Sequence, residues 1–228
     1  MNSHSPFLSS TKAFYSRFLR ARRFDVDGAL RQFQEAIDAR TTHNLSDVYN
    51  NISTEEFEKA RRLYPCWTGR REKQGQPIFA FDITQLDHNT MAAYKTSRSI
   101  SASTAQAQPD GSNPVSEIVR AYVYHDSLTR FILPLCSACA DRADPNKPVV
   151  GCLYLVDISG LGLKQAWTLR NYTQDISKLL ATSYPEVIDR VLVRPSLSPI
   201  PYQLSLLKND RATLVWRLLL IVPRANRP

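Results

Sequence analysis

The residues with the clearest chemical potential form an arginine-rich run near the amino end of the chain. From Arg17 to Arg23 the sequence reads RFLRARR, so four arginines fall within seven positions and alternate with apolar residues. An arginine side chain carries a permanent charge and a planar fork of N–H donors that matches two oxygens of a phosphate group. The run therefore indicates a site for an anionic group or, more simply, a basic helix face exposed to water.

The other reactive side chains form no recognisable catalytic or metal-binding pattern. Cys136 and Cys139 make a single C-x-x-C pair, which is two ligands short of a structural zinc site, so we expect both to be structural. Asp157 follows an apolar run, and we expect it to cap the next turn. The histidines lie in separate segments and in no triad order: His4, His43, His88 and His125. The sequence predicts no catalytic site, no metal and no other cofactor.

Helices are predicted to position the arginine run. The first covers residues 12–24, and Asp25 is placed to cap the second. The second helix has apolar residues at helical spacing that are predicted to share a face: Leu30, Phe33 and Ile37. A capping box at residues 53–56 opens a third helix, which Pro65 ends.

The rest of the chain predicts an α/β fold. Residues 78–83 form a strand candidate, and the nearly continuous apolar run 149–157 is typical of a strand buried on both faces. A long helix and a strand over 188–193 follow, and a strand–helix–strand unit of this kind has parallel strands. Another helix is predicted from Pro114 to about Phe131, with Pro134 at its end. We expect a small helical amino-terminal region, then a mixed or parallel sheet flanked by helices.

Composition narrows the class of protein. The chain has 228 residues and a formal net charge of +8. Its hydrophobic content of 43% excludes a wholly disordered chain. Much of the excess charge lies in residues 191–228, and no DNA- or RNA-binding motif is visible, so we expect no nucleic-acid partner. The apolar stretch 212–222 is too short for the ~30 Å of a bilayer core, and the amino end has no signal-peptide pattern. These features predict a soluble intracellular protein.

Five short blocks resemble, in order, the signatures of the CRAL-TRIO lipid-binding domain, and most closely its fungal Sec-fourteen-type phosphatidylinositol transfer branch. The first block is the arginine run extended to Val26, RFLRARRFDV. The others are LYP at 63–65 with GQPI at 75–78, LPLCS at 133–137, LVDISG at 155–160, and YPE at 184–186 with Arg190-Val191. Together they cover about residues 14–192, so the resemblance extends over most of the chain.

The resemblance implies an α/β domain that holds one lipid in an apolar pocket between a sheet floor and a mobile gate helix. Arg22 and Arg23 match the basic pair that contacts the phosphoinositide head group, and Glu186 matches a glutamate near the inositol ring. The implied function is phospholipid binding, with phosphatidylinositol transfer between membranes, rather than catalysis. The implied partners are a phospholipid and, transiently, a membrane surface. The implied location is cytoplasmic, peripherally on Golgi or endosomal membranes.

The chain departs from the family at two positions that bear on the lipid. The residues that would carry hydroxyl groups for phosphatidylcholine are Cys152 and Tyr154 here. The resemblance therefore favours phosphatidylinositol over phosphatidylcholine as the ligand.

The chain is predicted to divide into a helical lobe (1–63), an α/β lipid-binding domain (64–193) and a divergent basic and apolar tail (194–228). Residues 96–114 are rich in Ser, Ala, Gln, Pro and Gly, which predicts a flexible insertion. No block after residue 193 matches the gate helix, so we expect an incomplete, apparently truncated domain whose tail does not rebuild the gate. A truncated remnant without independent lipid transfer and an α/β enzyme of unknown reaction remain as alternatives.

Overall fold

A computed structural model describes residues 6–98 and 117–194. In these ranges the helices are α1 (Pro6–Ala21), α2 (Val26–Thr42), α3 (Leu45–Asn51), α4 (Thr54–Arg61), α5 (His88–Arg98), α6 (Glu117–Ser127), α7 (Leu133–Ala138), α8 (Leu163–Thr168) and α9 (Arg170–Ser183). The strands are β1 (Cys66–Arg71), β2 (Pro77–Asp82), β3 (Cys152–Asp157) and β4 (Ile188–Arg194). A 3-10 turn spans Ile83–Gln85, and a π-helical turn spans Leu128–Ile132.

The four strands form one mixed sheet in the order β1-β2-β3-β4. β1 runs antiparallel to β2, whereas β2, β3 and β4 are parallel. The chain passes from β3 to β4 through α8 and α9, so the predicted strand–helix–strand unit is confirmed. Helices precede and flank this sheet, which confirms the predicted α/β class.

One face of the sheet packs against the helices and carries large aromatic side chains. Phe79 on β2 lies beside Tyr154 on β3, with ring centroids 5.8 Å apart, and both are almost completely buried. Tyr64 stacks on Tyr124 of α6 at 4.8 Å, and Tyr172 of α9 donates a hydrogen bond to the Leu63 carbonyl. Large aromatic side chains dominate core energetics because each buries a large area. These contacts hold the crossover helix α9 and the segment before β1 against the sheet.

The apolar face predicted on α2 is mostly exposed to solvent. Leu30 and Ile37 are 63% and 39% exposed, while the buried residues of this helix are Gly28, Ala29, Gln32 and Ala36. Small side chains let α2 lie close to α1 and α9, so the larger aliphatic residues are turned outward. Phe33 is half-buried and packs against Phe18 of α1, with ring centroids 5.4 Å apart.

Helix α1 ends earlier than predicted, at Ala21 rather than Phe24. Arg23 and Phe24 have φ values of +54° and +66°, in the left-handed region, so they cannot continue a right-handed helix. The Phe24 N–H donates to the Leu19 carbonyl at 2.7 Å and closes the end of the helix. Asp25 stands at the predicted N-cap of α2, but its side chain makes no capping hydrogen bond.

Pro134 was predicted to end this helical segment, but it lies in the first turn of α7. The π-helical turn separates α6 from α7, and the Leu133 N–H donates to the Leu128 carbonyl across it. Proline has no backbone N–H to donate to the preceding turn. The π-helical turn shifts the hydrogen-bond register before Pro134, so the helix accommodates the proline. The predicted long helix after β3 is likewise divided, into α8 and α9.

Some predicted segments fall on residues whose structure is not described. Of the predicted insertion over 96–114, residues 96–98 belong to the end of α5, and the remainder lies outside the described residues. The same holds for the start of the helix that was predicted from Pro114. It also holds for the predicted tail beyond Arg194. Strand β1 and helices α3 and α5 were not predicted.

Candidate functional site

The second face of the sheet carries an apolar row that runs across three strands. Ala80, Leu155 and Leu192 are register neighbours on β2, β3 and β4. Leu155 and Leu192 are 39% and 43% exposed, and no element in the described part of the chain covers them. These three residues define what we call the open sheet face. A groove of about 530 Å³ lies along it.

Charged residues stand at both ends of the open sheet face. At one end Arg190 lies 3.6 Å from the Glu72 carboxylate, Nη2 to Oε2. At the other end Arg194 pairs with Asp157, Nη1 to Oδ2, at 3.1 Å. Asp157 also accepts the Ser159 N–H at 2.9 Å, which confirms its predicted role in capping the next turn. The apolar row is therefore bounded by ion pairs along the strand direction.

The helix-covered face holds a much smaller space. A cavity of about 20 Å³ lies among Tyr64, His125, Tyr154 and Tyr172, which is room for about one water molecule. The Tyr154 side chain is almost completely buried there, and burial raises the pKa of its hydroxyl. Cys152 is also fully buried, with its thiol directed to the Val187 carbonyl at 3.4 Å. Among the described residues, this cavity is too small for an acyl chain.

The turn after α1 presents the predicted basic pair. Arg22 and Arg23 are both exposed. Arg22 Nε donates to Gln32 Oε1 at 2.8 Å, and Gln32 Nε2 in turn donates to the Ala181 carbonyl at 2.7 Å. Ala181 is in the last turn of α9, where backbone carbonyls have no partner within the helix. Gln32 therefore caps α9 from α2 and connects Arg22 to that helix end.

Glu186 lies just beyond the same helix end. It is half-buried in the turn between α9 and β4 and has a φ of +58°. Hydrogen bonds connect Arg22 through Gln32 to Ala181 at the end of α9. The turn that contains Glu186 begins at this same helix end. The structure places two of the three predicted head-group residues at one end of one helix. Arg23 follows Arg22 in the same turn.

A buried carboxylate joins these elements to α6. Asp126 accepts hydrogen bonds from the Arg40 guanidinium on α2, the Tyr49 hydroxyl on α3 and the Tyr184 hydroxyl after α9. Burial by itself would raise the pKa of Asp126, but the hydrogen bond and charge of Arg40, with the two hydroxyl donors, outweigh burial and lower it. Tyr184 is two residues before Glu186, so this network fixes the turn that carries the glutamate.

The basic turn lies next to exposed apolar side chains. Phe24, Val26 and Leu30 are 70%, 66% and 63% exposed. Val26 and Leu30 are four residues apart on α2 and therefore lie on one side of that helix. We call these three residues the α2 outer face. Exposed aromatic and aliphatic residues beside arginines are typical of surfaces that contact anionic membranes.

The strained backbone at Arg23 gives a testable consequence. A residue other than glycine loses about 1–2 kcal/mol of stability in the left-handed region. Glycine avoids this cost, but it loses about 0.5–1 kcal/mol because its unfolded chain has more conformational entropy. We expect R23G to raise the free energy of unfolding by about 0.5–1 kcal/mol, measured by urea denaturation. R31G, at an exposed position within α2, is the matched control and should lower it by a similar amount. A loss of stability in R23G would contradict the assigned turn.

Comparison with known families identifies the chain. Residues 61–196 match the CRAL/TRIO domain, and residues 3–35 match the CRAL/TRIO N-terminal domain. The larger match covers more than half of the chain, so this protein belongs to the CRAL/TRIO family. The match begins before β1 and includes β4, and thus contains the whole sheet.

Individual relatives are distant. The chain is 24% identical over 182 residues to the phosphatidylinositol/phosphatidylcholine transfer protein SFH7 of Arabidopsis thaliana, covering 78% of this chain and 28% of that protein. It is 22% identical to the SEC14 cytosolic factor of Candida glabrata, covering 75% of this chain and 49% of that one. It is also 22% identical to the CRAL-TRIO domain-containing protein YKL091C of Saccharomyces cerevisiae, covering 75% of this chain and 50% of that one. The chain thus spans about half the length, or less, of these relatives. No helix among the described residues is long and apolar enough to cross a membrane.

Sequence reasoning missed several residues that build this site. Gln32 and Asp126 stand in helices where a polar residue is normally assigned to the surface, although both are buried. Leu155 was included in a strand expected to be buried on both faces, yet it is 39% exposed. One local feature could have indicated that Gln32 is buried. Its neighbours on the same side of α2 are the small residues Gly28, Ala29 and Ala36.

Proposed function

We propose that this protein binds a phospholipid, with acyl chains on the open sheet face and the head group at the turn of Arg22, Arg23 and Glu186. The observation that supports it most is the exposed apolar row of Ala80, Leu155 and Leu192. Parallel strands occur almost only in sheets with both faces covered, so a parallel sheet with an exposed apolar face is expected to bind an apolar partner. The relatives named as phosphatidylinositol/phosphatidylcholine transfer proteins support a lipid as that partner.

The geometry of β4 relates the two ends of this proposed site. Strand β4 begins two residues after Glu186 and carries Leu192 on the open sheet face. At about 3.3 Å per residue, its seven residues extend about 20 Å from the Glu186 turn to Arg194. A head group at that turn would direct its acyl chains along the strands, toward Leu155 and Leu192.

Phosphatidylinositol is the favoured lipid in this proposal, and phosphatidylcholine is disfavoured. Arg22 and Arg23 provide donors for phosphate oxygens, and Glu186 provides an acceptor for sugar hydroxyls. Cys152 and Tyr154 are buried on the helix-covered face and present no hydroxyl to the open sheet face. Transfer of phosphatidylinositol between membranes is the activity that follows.

We further propose that loading occurs while the protein is peripherally bound to a cytoplasmic membrane surface, with Golgi and endosomal membranes the favoured ones. The α2 outer face supports this, because Phe24, Val26 and Leu30 adjoin the basic pair. Arginines bound to anionic head groups and apolar side chains inserted beside them would bring the head-group turn to the bilayer.

Vesicle binding tests the head-group assignment. In R22A/R23A we expect at least about tenfold weaker binding to phosphatidylcholine vesicles that contain phosphatidylinositol, since each charge-assisted hydrogen bond contributes about 1.5–3 kcal/mol. R31A/R62A removes the same charge from two other exposed positions and should retain binding. Vesicles with phosphatidylserine instead measure general attraction to anionic lipid. Equal losses in both double variants, or on both vesicle types, would contradict a phosphatidylinositol site at Arg22 and Arg23.

A further inference from the structure

Arg17 is an unusual residue, because its permanently charged side chain is buried and its Nε atom makes no hydrogen bond. It is 5% exposed and lies one turn before Arg20 on the same side of α1. The Nε atoms of Arg17 and Arg20 are both buried and make no hydrogen bond. In the described part of the chain, no carboxylate pairs with either arginine. The recorded contact of the Arg17 guanidinium is with the Phe14 ring, 5.9 Å from its centroid.

This arrangement is costly for the protein alone. Burial, and next to it the charge of Arg20, lower the pKa of Arg17 to about 10, so its side chain is still a cation at neutral pH. Burying an unpaired charge is strongly unfavourable unless an opposite charge and hydrogen bonds compensate for it. Two neighbouring cations, each with an unused Nε donor, therefore provide the chemistry that an anion requires.

The buried arginines are distinct from the exposed basic pair. Arg22 is engaged by Gln32 at the surface, whereas Arg17 is close enough to the first residue of β3 for its charge to act on the Cys152 thiol. The carboxylate of Asp189 also acts on that thiol, and it accepts the Arg190 Nε at 3.2 Å. Neighbouring protein groups therefore do not supply the missing anion in the described structure.

We propose that Arg17 and Arg20 form a binding subsite for a phosphate group on the inner side of α1. Guanidinium forks bind phosphate oxygens in pairs, and two of them one helical turn apart offer several N–H donors to one group. The phosphate of a lipid head group and free phosphate share this chemistry. The subsite uses neither Arg22 nor Arg23, so it can be tested separately from the proposed function.

Thermal unfolding of the full chain in inorganic phosphate tests the subsite. Sodium chloride of equal ionic strength serves as the reference. We expect phosphate to raise Tm by about 5 °C or more at a hundred times its Kd, because a ligand that binds only the folded state stabilises it. In R17M this phosphate-dependent rise should disappear, while Tm without phosphate stays equal or increases, since methionine removes the buried charge but retains the length of the side chain.

Three further variants complete the test. R17K retains the charge and should keep part of the phosphate-dependent rise, whereas R31M and R22M/R23M should keep all of it. Glycerophosphoinositol distinguishes the two sources: a larger rise than with equal inorganic phosphate assigns the subsite to a lipid head group, and an equal or smaller rise assigns it to free phosphate. The proposal is overturned if neither compound raises Tm above the chloride reference, or if R17M responds like the unmodified protein.

Discussion

The variant D126A is expected to lose about 3–5 kcal/mol of the free energy of unfolding, the largest effect of any single substitution considered for this protein. The change leaves the partly buried guanidinium of Arg40 without its carboxylate, and removing one partner of a buried ion pair typically costs this much. It also leaves the hydroxyls of Tyr49 and Tyr184 without their acceptor. Urea denaturation followed by circular dichroism measures the loss.

E58A provides a matched control. Glu58 and Arg61 form a comparable ion pair on α4, but both side chains are nearly half-exposed, and exposed pairs contribute about 0–1 kcal/mol. In the double variant R40M/D126A the cost should be well below the sum of the two single changes, because no unpaired charge remains. Additive losses would show that Arg40 and Asp126 act independently, and this would contradict the network.

The same carboxylate predicts how stability depends on pH. The pKa of Asp126 is lowered in the folded state, so its contribution is fully present above the unfolded value of about 4. It is lost as the pH falls further, through the folded pKa. The stability difference between the unmodified protein and D126A should therefore shrink below about pH 4 and stay constant from there to neutral pH.

The second large effect is expected at the open sheet face. L155D/L192D should reduce phospholipid binding by at least about 100-fold, because each buried leucine contributes about 1.5–3 kcal/mol and a carboxylate against an acyl chain adds a desolvation cost. Tm should change little, since both side chains already contact water in the folded protein. Capture of fluorescent phosphatidylinositol from vesicles measures the binding.

The control for this change is L135D on α7. Leu135 is 56% exposed and does not line the groove along the open sheet face, so its replacement should leave lipid capture intact. A large fall in Tm for L155D/L192D would mean that the protein's own chain, rather than a lipid, covers the open sheet face. Unchanged capture in the double variant would contradict the proposed acyl-chain site directly.

The sheet was the part of the fold that the sequence predicted best. The runs at 78–83, 149–157 and 188–193 are rich in aliphatic and aromatic residues, and three strands formed there within a few residues of the expected limits. The first strand escaped prediction because Cys66–Arg71 is one-third charged, contains a glycine, and lies at the sheet edge, where burial imposes little pattern. Local composition therefore identified central strands and not the edge.

The orientation of α2 shows why periodicity failed in the helical lobe. Periodicity identified an apolar face with Leu30 and Ile37, but the close approach of α1 and α9 buries Gly28, Ala29 and Ala36 instead. Gln32 is buried because it caps α9, a contact between residues 149 positions apart in the chain. No window of sequence contains both partners of such a contact.

The head-group residues illustrate the same division. The arginine run was visible as a motif, yet the motif does not distinguish exposed Arg22 and Arg23 from buried Arg17. That difference arises because α1 ends at Ala21 and the chain reverses through the left-handed residues Arg23 and Phe24. The head-group role of Glu186 was predicted only from the family resemblance, whereas its position just after α9 was predicted from the sequence, because Tyr184, Pro185 and Glu186 were expected to end that helix.

The most direct test of phospholipid binding is the lipid content of the purified protein. The unmodified chain is incubated with vesicles of phosphatidylinositol and phosphatidylcholine and separated from them, and its bound lipid is then extracted for mass spectrometry. We predict phosphatidylinositol in a molar amount close to that of the protein, with little phosphatidylcholine, and neither lipid retained by L155D/L192D. A folded protein that yields no phospholipid would contradict the proposed function and would favour a CRAL/TRIO remnant without lipid transfer.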